Sequence, residues 1–309
     1  MDKKTERLVD VARMYYEQDR TQSEIADQYG ISRPMVSKLL KEARDRGIVT
    51  IRINAPKGES GGAPSLMELV GRCFGIYDGV AVPDGPNDQT TNEAVAEAAI
   101  SYLSELGGAS LGIGWGHIIG DVVKHMEQKA KLVPIGTFVC PLIGNGGVGL
   151  KNYHSNELVR SIAEHSGAQP RFIYSPACVL SEQELKLTRE LDSYHEIYHV
   201  WEKLDVALVN IGNFPSVPDF ASEARYGDQL IRQKAVGRIL NYFMDSQGHI
   251  IRSDTDYAIQ IPLELLTRTR HVVGICSANT SPKAFRGALK TGYLKHFIAP
   301  EHVVREALE

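Results

Sequence analysis

Two kinds of hydrophobic spacing follow one another along this 309-residue chain, and the change between them divides it. In the N-terminal segment apolar residues recur at intervals of three and four, the spacing of one helical face. Leu8, Val9, Ala12, Met14 and Tyr15 or Tyr16 predict an amphipathic helix over about 5–17. Ile25, Ala26 and Tyr29 predict a second, Gly30 breaks the run, and Ile31, Val36, Leu39 and Leu40 predict a third. Ser32 is a good N-cap for that third helix, with Pro34 in its first turn. After it, Gly47 is a helix stop. The alternation of Ile48, Thr50 and Arg52 against Val49, Ile51 and Ile53 predicts a short wing strand.

The stretch PKGESGGAPS, 56–65, has no apolar period and is rich in glycine, proline and serine, which predicts a linker between a module over 1–55 and a larger domain over 66–309. Beyond it, short apolar runs alternate with helical patterns. YDGVAV, ASLGIG, GTFVCPLIG, RFIYSP, DVALVNIG, HVVGICS and LKHFIAP predict strands. Between them, NEAVAEAAISYLSEL, HIIGDVVKHMEQ, NELVRSIAEHSG, the stretches 182–204 and 229–243, and KAFRGALKTG predict helices. Such alternation predicts a doubly wound, mainly parallel α/β sheet with helices on both faces.

Charge changes the reading of the N-terminal module. The chain carries a formal net charge of −4, yet the segment 31–52 has Arg33, Lys38, Lys41, Arg44, Arg46 and Arg52 against only Glu42 and Asp45. The residues expected to face outward on the third helix, Arg33, Ser37, Lys38 and Lys41, are hydrogen-bond donors. A basic stripe on the second helix of a helix-turn-helix is the electrostatic footprint of a module for double-stranded DNA, with Thr21 and Gln22 at the preceding helix start near backbone phosphates. A solvated charged helix face is the plainer alternative. Hydrophobic residues at 43% and charged residues at 23% are ordinary for a globular protein. No apolar run is long enough to span a bilayer, and the N-terminus lacks a signal-peptide pattern, so a cytoplasmic protein with no membrane partner is expected. Cys73, Cys140, Cys178 and Cys276 are far apart and read as core thiols.

In doubly wound sheets ligands bind where strands end at the carboxyl edge. Three glycine-bearing strand ends fall there: GIGWGH, contributing Gly114, Trp115, Gly116 and His117 with Ile118 after them; LIGNGG, contributing Gly144 and Asn145; and NIGNF, contributing Gly212 and Asn213. The first lacks both the G-x-G-x-x-G frame and a Gly-Lys-Ser/Thr signature, so no nucleotide cofactor is expected. HEIYH, 195–199, fits the H-E-x-x-H zinc pattern, but it runs directly into the strand DVALVNIG and has no evident third ligand, and it reads as a polar surface helix.

These residues carry a family likeness. The segment LVDVARMYYEQDRTQSEIADQYGISRPMVSKLLKEARDRGIVTIRI, with LGIGWG, QKAVGRILNYFMDSQGHI and VVGICSANTSPKAFRGALKTGY, resembles the SorC family of bacterial transcriptional regulators over nearly the whole chain. The resemblance implies a winged helix-turn-helix joined to an effector domain with a sugar-phosphate-isomerase-like fold, assembly into dimers or tetramers on operator DNA, and a phosphorylated sugar or related small metabolite as effector. It places Gly114, Trp115 and Gly116 in a phosphate-proximal loop and Lys283 near the effector. The chain departs from the family at two places. His117 and Ile118 stand where hydroxyl residues are common, and Arg238 stands where an acidic residue is common. Arg238, Lys283 and His117 are therefore expected to form a cationic pocket suited to a planar anion. The alternative for Arg238 is an ion pair with a neighbouring acid.

Two functions remain open on the sequence: a metabolite-controlled DNA-binding regulator, or a sugar-phosphate isomerase-like enzyme with a DNA-binding appendage. An enzyme needs a working acid and base. Asp121 and Glu127, on the helix after GIGWGH, show no partner in the sequence, and no catalytic or metal-binding set is expected.

Overall fold

The structure, a computed structural model, describes residues 3–16, 18, 20–45, 49, 64–129, 133, 135–147, 149–216 and 225–309. The chain divides into two compact units, Met1–Gly62 and Ala63–Glu309. Apart from Val49, the residues expected to form the wing lie outside the described residues, as do 56–63 of the expected linker.

The first unit has three helices, α1 (Lys3–Tyr16), α2 (Gln22–Tyr29) and α3 (Arg33–Asp45). A capping box starts α2: Thr21 Oγ1 accepts from Glu24 N at 3.3 Å, and Glu24 Oε2 accepts from Thr21 N at 2.8 Å. Gly30 ends it at φ 61°, in the left-handed region that glycine enters without strain. Ser32 O accepts from Met35 N and Val36 N, and so opens α3. Val11, Ile25, Ala26, Val36 and Leu40 form one core cluster and Leu8, Ala12 and Ala43 another. On α1 Leu8, Val11 and Ala12 face inside, while Val9 is only half-buried, so Val11 rather than Val9 completes the apolar face.

The second unit is built on a seven-stranded parallel sheet. Its strands are β1 (Gly79–Val82), β2 (Leu111–Ile113), β3 (Phe138–Pro141), β4 (Gln169–Pro170), β5 (Val206–Asn213), β8 (His271–Ile275) and β9 (His296–Pro300), in the order β1-β9-β8-β5-β2-β3-β4. The long helices are α4 (Leu66–Phe74), α5 (Asp88–Leu106), α6 (His117–Glu127), α7 (Ser155–Ser166), α8 (Glu182–Glu190), α9 (Asp192–Trp201), α12 (Pro282–Lys290) and α13 (Glu301–Leu308); α10 (Gln229–Arg232) and α11 (Leu263–Arg268) are short. The central strand β5 is buried along most of its length, which is why its sequence is a nearly continuous apolar run.

Three elements differ from the sequence expectation. The helix expected over 229–243 is only α10, after which β6 (Gly237–Ile239) and β7 (Tyr242–Met244) form an antiparallel hairpin on the end of β5. Lys234, at φ 54°, stops the helix, and Leu240, at φ 52°, turns the hairpin. The apolar residues Ile239, Phe243 and Met244 satisfy a hairpin buried on both sides as well as they satisfy a helix. The stretch 182–204 is two helices, broken where Leu191 is extended. RFIYSP follows the last strand of the sheet rather than forming it: β4 ends at Pro170, which has no N–H to offer a further neighbour.

Candidate functional site

In the first unit the exposed side of α3 is formed by Arg33, Pro34, Ser37, Lys38 and Lys41, while Val36 and Leu40 face the core. Ser32 is also exposed, just ahead of the helix. A surface hollow beside this face brings together Thr21, Gln22 and Ser23 at the start of α2, Tyr15 and Tyr16 at the end of α1, and Arg33. Arg20 also lines it and is held by a hydrogen bond from Nη1 to Gln28 Oε1 at 2.6 Å. Sequence reasoning missed Arg20, the hollow's second guanidinium. It also missed Met35, 47% exposed on α3, an apolar side chain among donors of the kind that meets a thymine methyl group.

In the second unit the carboxyl ends of β2 and β5 lie side by side, and the chain leaves them in opposite directions: β2 leads to β3 and β4, β5 to β8 and β9. This is the crevice where open α/β sheets bind ligands. A cavity of about 650 Å³ occupies it. Gly116, His117 and Ile118 line it from the start of α6, Gly212 and Asn213 from the end of β5, and Arg238 from β6.

Each of these residues is fixed locally. Gly116 has φ 116°, and its N–H donates to Asn152 O at 2.8 Å. No side chain caps α6 there, so the first N–H groups of that helix are left to the cavity side. Gly116 also lets the backbone approach Asn210: a Cβ would lie 3.1 Å from Asn210 Nδ2. The His117 ring meets the Tyr153 ring edge-on at 5.5 Å. Arg238 is only 6% exposed, with its guanidinium carbon 5.9 Å from the centre of the Phe243 ring. Burial raises the Tyr153 hydroxyl pKa, and the nearby Arg238 charge opposes that rise. Asn213 ties the far wall, donating from Nδ2 to Asn279 O at 2.9 Å and accepting from Ser281 N at 2.7 Å.

Five residues singled out in the sequence do not line this cavity. Gly114 N donates to Leu208 O beneath its floor. Trp115 is 1% exposed and meets the Tyr153 ring edge-on from the core side. Gly144 lies against the Pro176 carbonyl, and the Asn145 side chain bonds Ile173 O and Asn156 N at the β3 end, away from the crevice. Lys283 is exposed on the first turn of α12 and is absent from the lining.

The structure brings in residues that the sequence reading did not single out as ligands: Asn92 from α5, Asp121 from α6, Tyr153, Asn210, and Ser277, Asn279 and Thr280 from the end of β8. The β8 loop is held in place by Ala278 N donating to Asn92 Oδ1 at 2.7 Å and by Ser277 N donating to Thr280 Oγ1 at 2.9 Å. Asp121, half-buried, has its pKa raised by burial, with the charges of Lys124 and His117 opposing the rise. Glu127 lies away from the cavity and accepts from Ser161 Oγ and Lys151 Nζ. In the HEIYH segment His195 and His199 are both exposed, and His199 Nδ1 pairs with Glu202 Oε2 at 2.7 Å.

Comparison with known proteins follows the same division of the chain. Residues 63–309 match the family model described as "Putative sugar-binding domain", and residues 5–46 match "Sigma-70, region 4". The sorbitol operon regulator of Klebsiella pneumoniae is 30% identical over 93% of this chain and 92% of its own length. The deoxyribonucleoside regulator of Bacillus subtilis (strain 168) is 27% identical over 99% of this chain and 98% of its own. The crystal structure of the full-length sorbitol operon regulator from Klebsiella pneumoniae matches with a TM-score of 0.71 at 27% identity, covering 100% of both chains. With a helix-turn-helix carrying an exposed basic face, a cavity at the sheet's switch point and these matches over nearly the whole length, the chain belongs to the SorC family of bacterial transcriptional regulators.

Proposed function

We propose that this regulator binds operator DNA as a homo-oligomer, a dimer or tetramer, and that a small anionic sugar derivative in the β2–β5 cavity sets its DNA affinity. Arg33, Ser37, Lys38 and Lys41 enter the major groove, Ser32 and Pro34 set the start of the reading helix, and Thr21, Gln22 and Arg20 meet phosphates. Two copies read two half-sites, since one helix-turn-helix contacts too little DNA for specific binding. The relatives named for sorbitol and for deoxyribonucleosides support a sugar-derived effector.

The observation that carries the effector reading is Arg238: an arginine only 6% exposed, lining a cavity whose other wall is the uncapped start of α6. Both favour an anion, the guanidinium as a fork of donors and the helix start through its free N–H groups and dipole. Gly116, His117 and Ile118 cradle the anion, Gly212 and Asn213 form the opposite wall, and the sugar hydroxyls meet Asn210, Asn279 and Thr280. The role is regulatory, which is supported by the relatives that match over nearly the whole chain being named as regulators. Among the described residues no helix is long and apolar enough to cross a membrane, and the protein acts in the cytoplasm, where its DNA is.

The test is isothermal calorimetry of the full-length chain with glucose 6-phosphate, gluconate and sorbitol. Binding of a charged ligand, weakened about tenfold or more in Arg238→Met, supports the reading. Equal binding by parent and variant contradicts it.

A further inference from the structure

Asp121 stands at the junction of two cavities. It lines the main cavity with Asn92, and the same two residues line a second hollow of about 350 Å³ in the groove between α5 and α6. That hollow is otherwise formed by Gln89 and Glu93 of α5 and Lys124, His125 and Gln128 of α6. Asn92 is already committed, its Oδ1 accepting from Ala278 N, so its position at the junction is fixed. Asp121 makes no hydrogen bond among the described residues although it is half-buried. A carboxylate partly withdrawn from water without a donor is unfavourable until something donates to it.

The chemistry of the second hollow narrows what does so. Its side chains are amides, carboxylates, an ammonium and an imidazole, the last held by Glu97 Oε2 at 2.6 Å from His125 Nε2, and no aliphatic residue lines it. An acyl chain needs apolar walls, so it does not suit this groove. Gln89 Nε2 donates to Glu93 Oε1 at 3.0 Å, and a pyranose ring suits what is left, because each hydroxyl can both donate to Asp121 or the other oxygen of Glu93 and accept from Lys124 or Gln128.

We propose that the two hollows form one site and that the effector is a phosphorylated disaccharide. Its phosphate lies between Arg238 and the start of α6, its second ring occupies the α5–α6 groove, and Asp121 accepts hydroxyls where the two rings join. This rests on the effector reading above and adds to it the length and the sugar character of the ligand.

The test is calorimetry of the full-length chain with glucose 6-phosphate, trehalose 6-phosphate, sucrose 6-phosphate, cellobiose 6-phosphate and thymidine 5′-monophosphate. At least one disaccharide phosphate is expected to bind about tenfold tighter than glucose 6-phosphate. Gln128→Ala, at the exposed residue after α6, and Glu93→Ala, at an exposed position of α5, both where folding is little disturbed, are expected to bring that ratio down to about threefold or less. If glucose 6-phosphate binds as tightly as all three disaccharide phosphates, or thymidine monophosphate binds tightest, the inference is overturned while the effector reading stands. If the ratio survives both variants, the groove does not hold the second ring. If none of the five binds, the inference falls together with the effector reading.

Discussion

Gly212 faces Arg238 in register across the antiparallel β5–β6 pair, and a Cβ at 212 would lie 3.2 Å from both Cγ and Nε of Arg238. The absence of a side chain at 212 is what lets the arginine stem lie flat along the end of β5. Gly212→Val therefore displaces the guanidinium without removing it. The expected outcome is a drop of about tenfold in effector affinity by calorimetry, with the helix content of the chain unchanged.

Gly116 imposes a second, backbone constraint. At φ 116° an alanine is strained by about 1–3 kcal/mol, and its Cβ would press on Asn210 as well. Gly116→Ala should lower the melting temperature by about 2–4 °C for each kcal/mol and weaken effector binding, because the strain falls on the first turn of α6. A melting curve and a calorimetric titration of the same sample check both.

The DNA face separates into contacts that read bases and contacts that meet phosphates. Arg33→Ala and Lys38→Ala should each cost about 1–3 kcal/mol on the preferred sequence and relax preference at one base position. Arg20→Ala should weaken binding evenly across sequences and reduce the slope of log K against log salt by about 1. Anisotropy titrations at several salt concentrations, on DNA selected from a random-sequence library, distinguish the two.

The loop that closes the cavity is also tied to the start of α13. His302 Nε2 lies 2.9 Å from Ala278 O, and Nδ1 pairs with Asp84, whose Oδ2 also accepts from His302 N at 3.0 Å. Burial works to lower the His302 pKa, but the hydrogen bond and charge of Asp84 outweigh it, and the value is raised above its ordinary 6.5. The charged imidazole is thus favoured in the folded state. The stabilisation is complete below the ordinary histidine value and fades as the pH rises through the raised one. His302→Gln should lower the melting temperature more at about pH 6 than at about pH 8.5. A pH-independent difference would contradict this.

The three helices of the first unit were legible in the sequence, since a helix-turn-helix is specified locally: the left-handed Gly30 and the 3–4 spacing of Val36 and Leu40 lie within a few turns. The parallel sheet was legible for a similar reason, as buried strands such as β5 are apolar along their length. The hairpin β6–β7 was not, because Ile239, Phe243 and Met244 fit either period and only the pairing with β5 decides between them. The cavity was legible in part. Glycine-bearing strand ends marked β2 and β5, whereas Asn92, Asp121 and Thr280 reach the crevice through helix packing and strand order, which no local pattern encodes. Gly144 and Asn145 look alike in sequence to the two loops that do line it, but β3 lies one strand away from the switch point.

The central claim is that occupancy of the β2–β5 cavity changes affinity for DNA. A ligand shifts that equilibrium only by binding the two conformations unequally, and such couplings commonly amount to about 5–150-fold. The most direct measurement is an anisotropy titration of the selected DNA with the full-length chain, with and without the tightest ligand from the calorimetric series, for the parent and for Arg238→Met. The account predicts a change in DNA affinity of at least about fivefold for the parent and a ratio near one for the variant. A parent that binds the ligand with no change in DNA affinity, or an Arg238→Met chain that responds as fully as the parent, would contradict it.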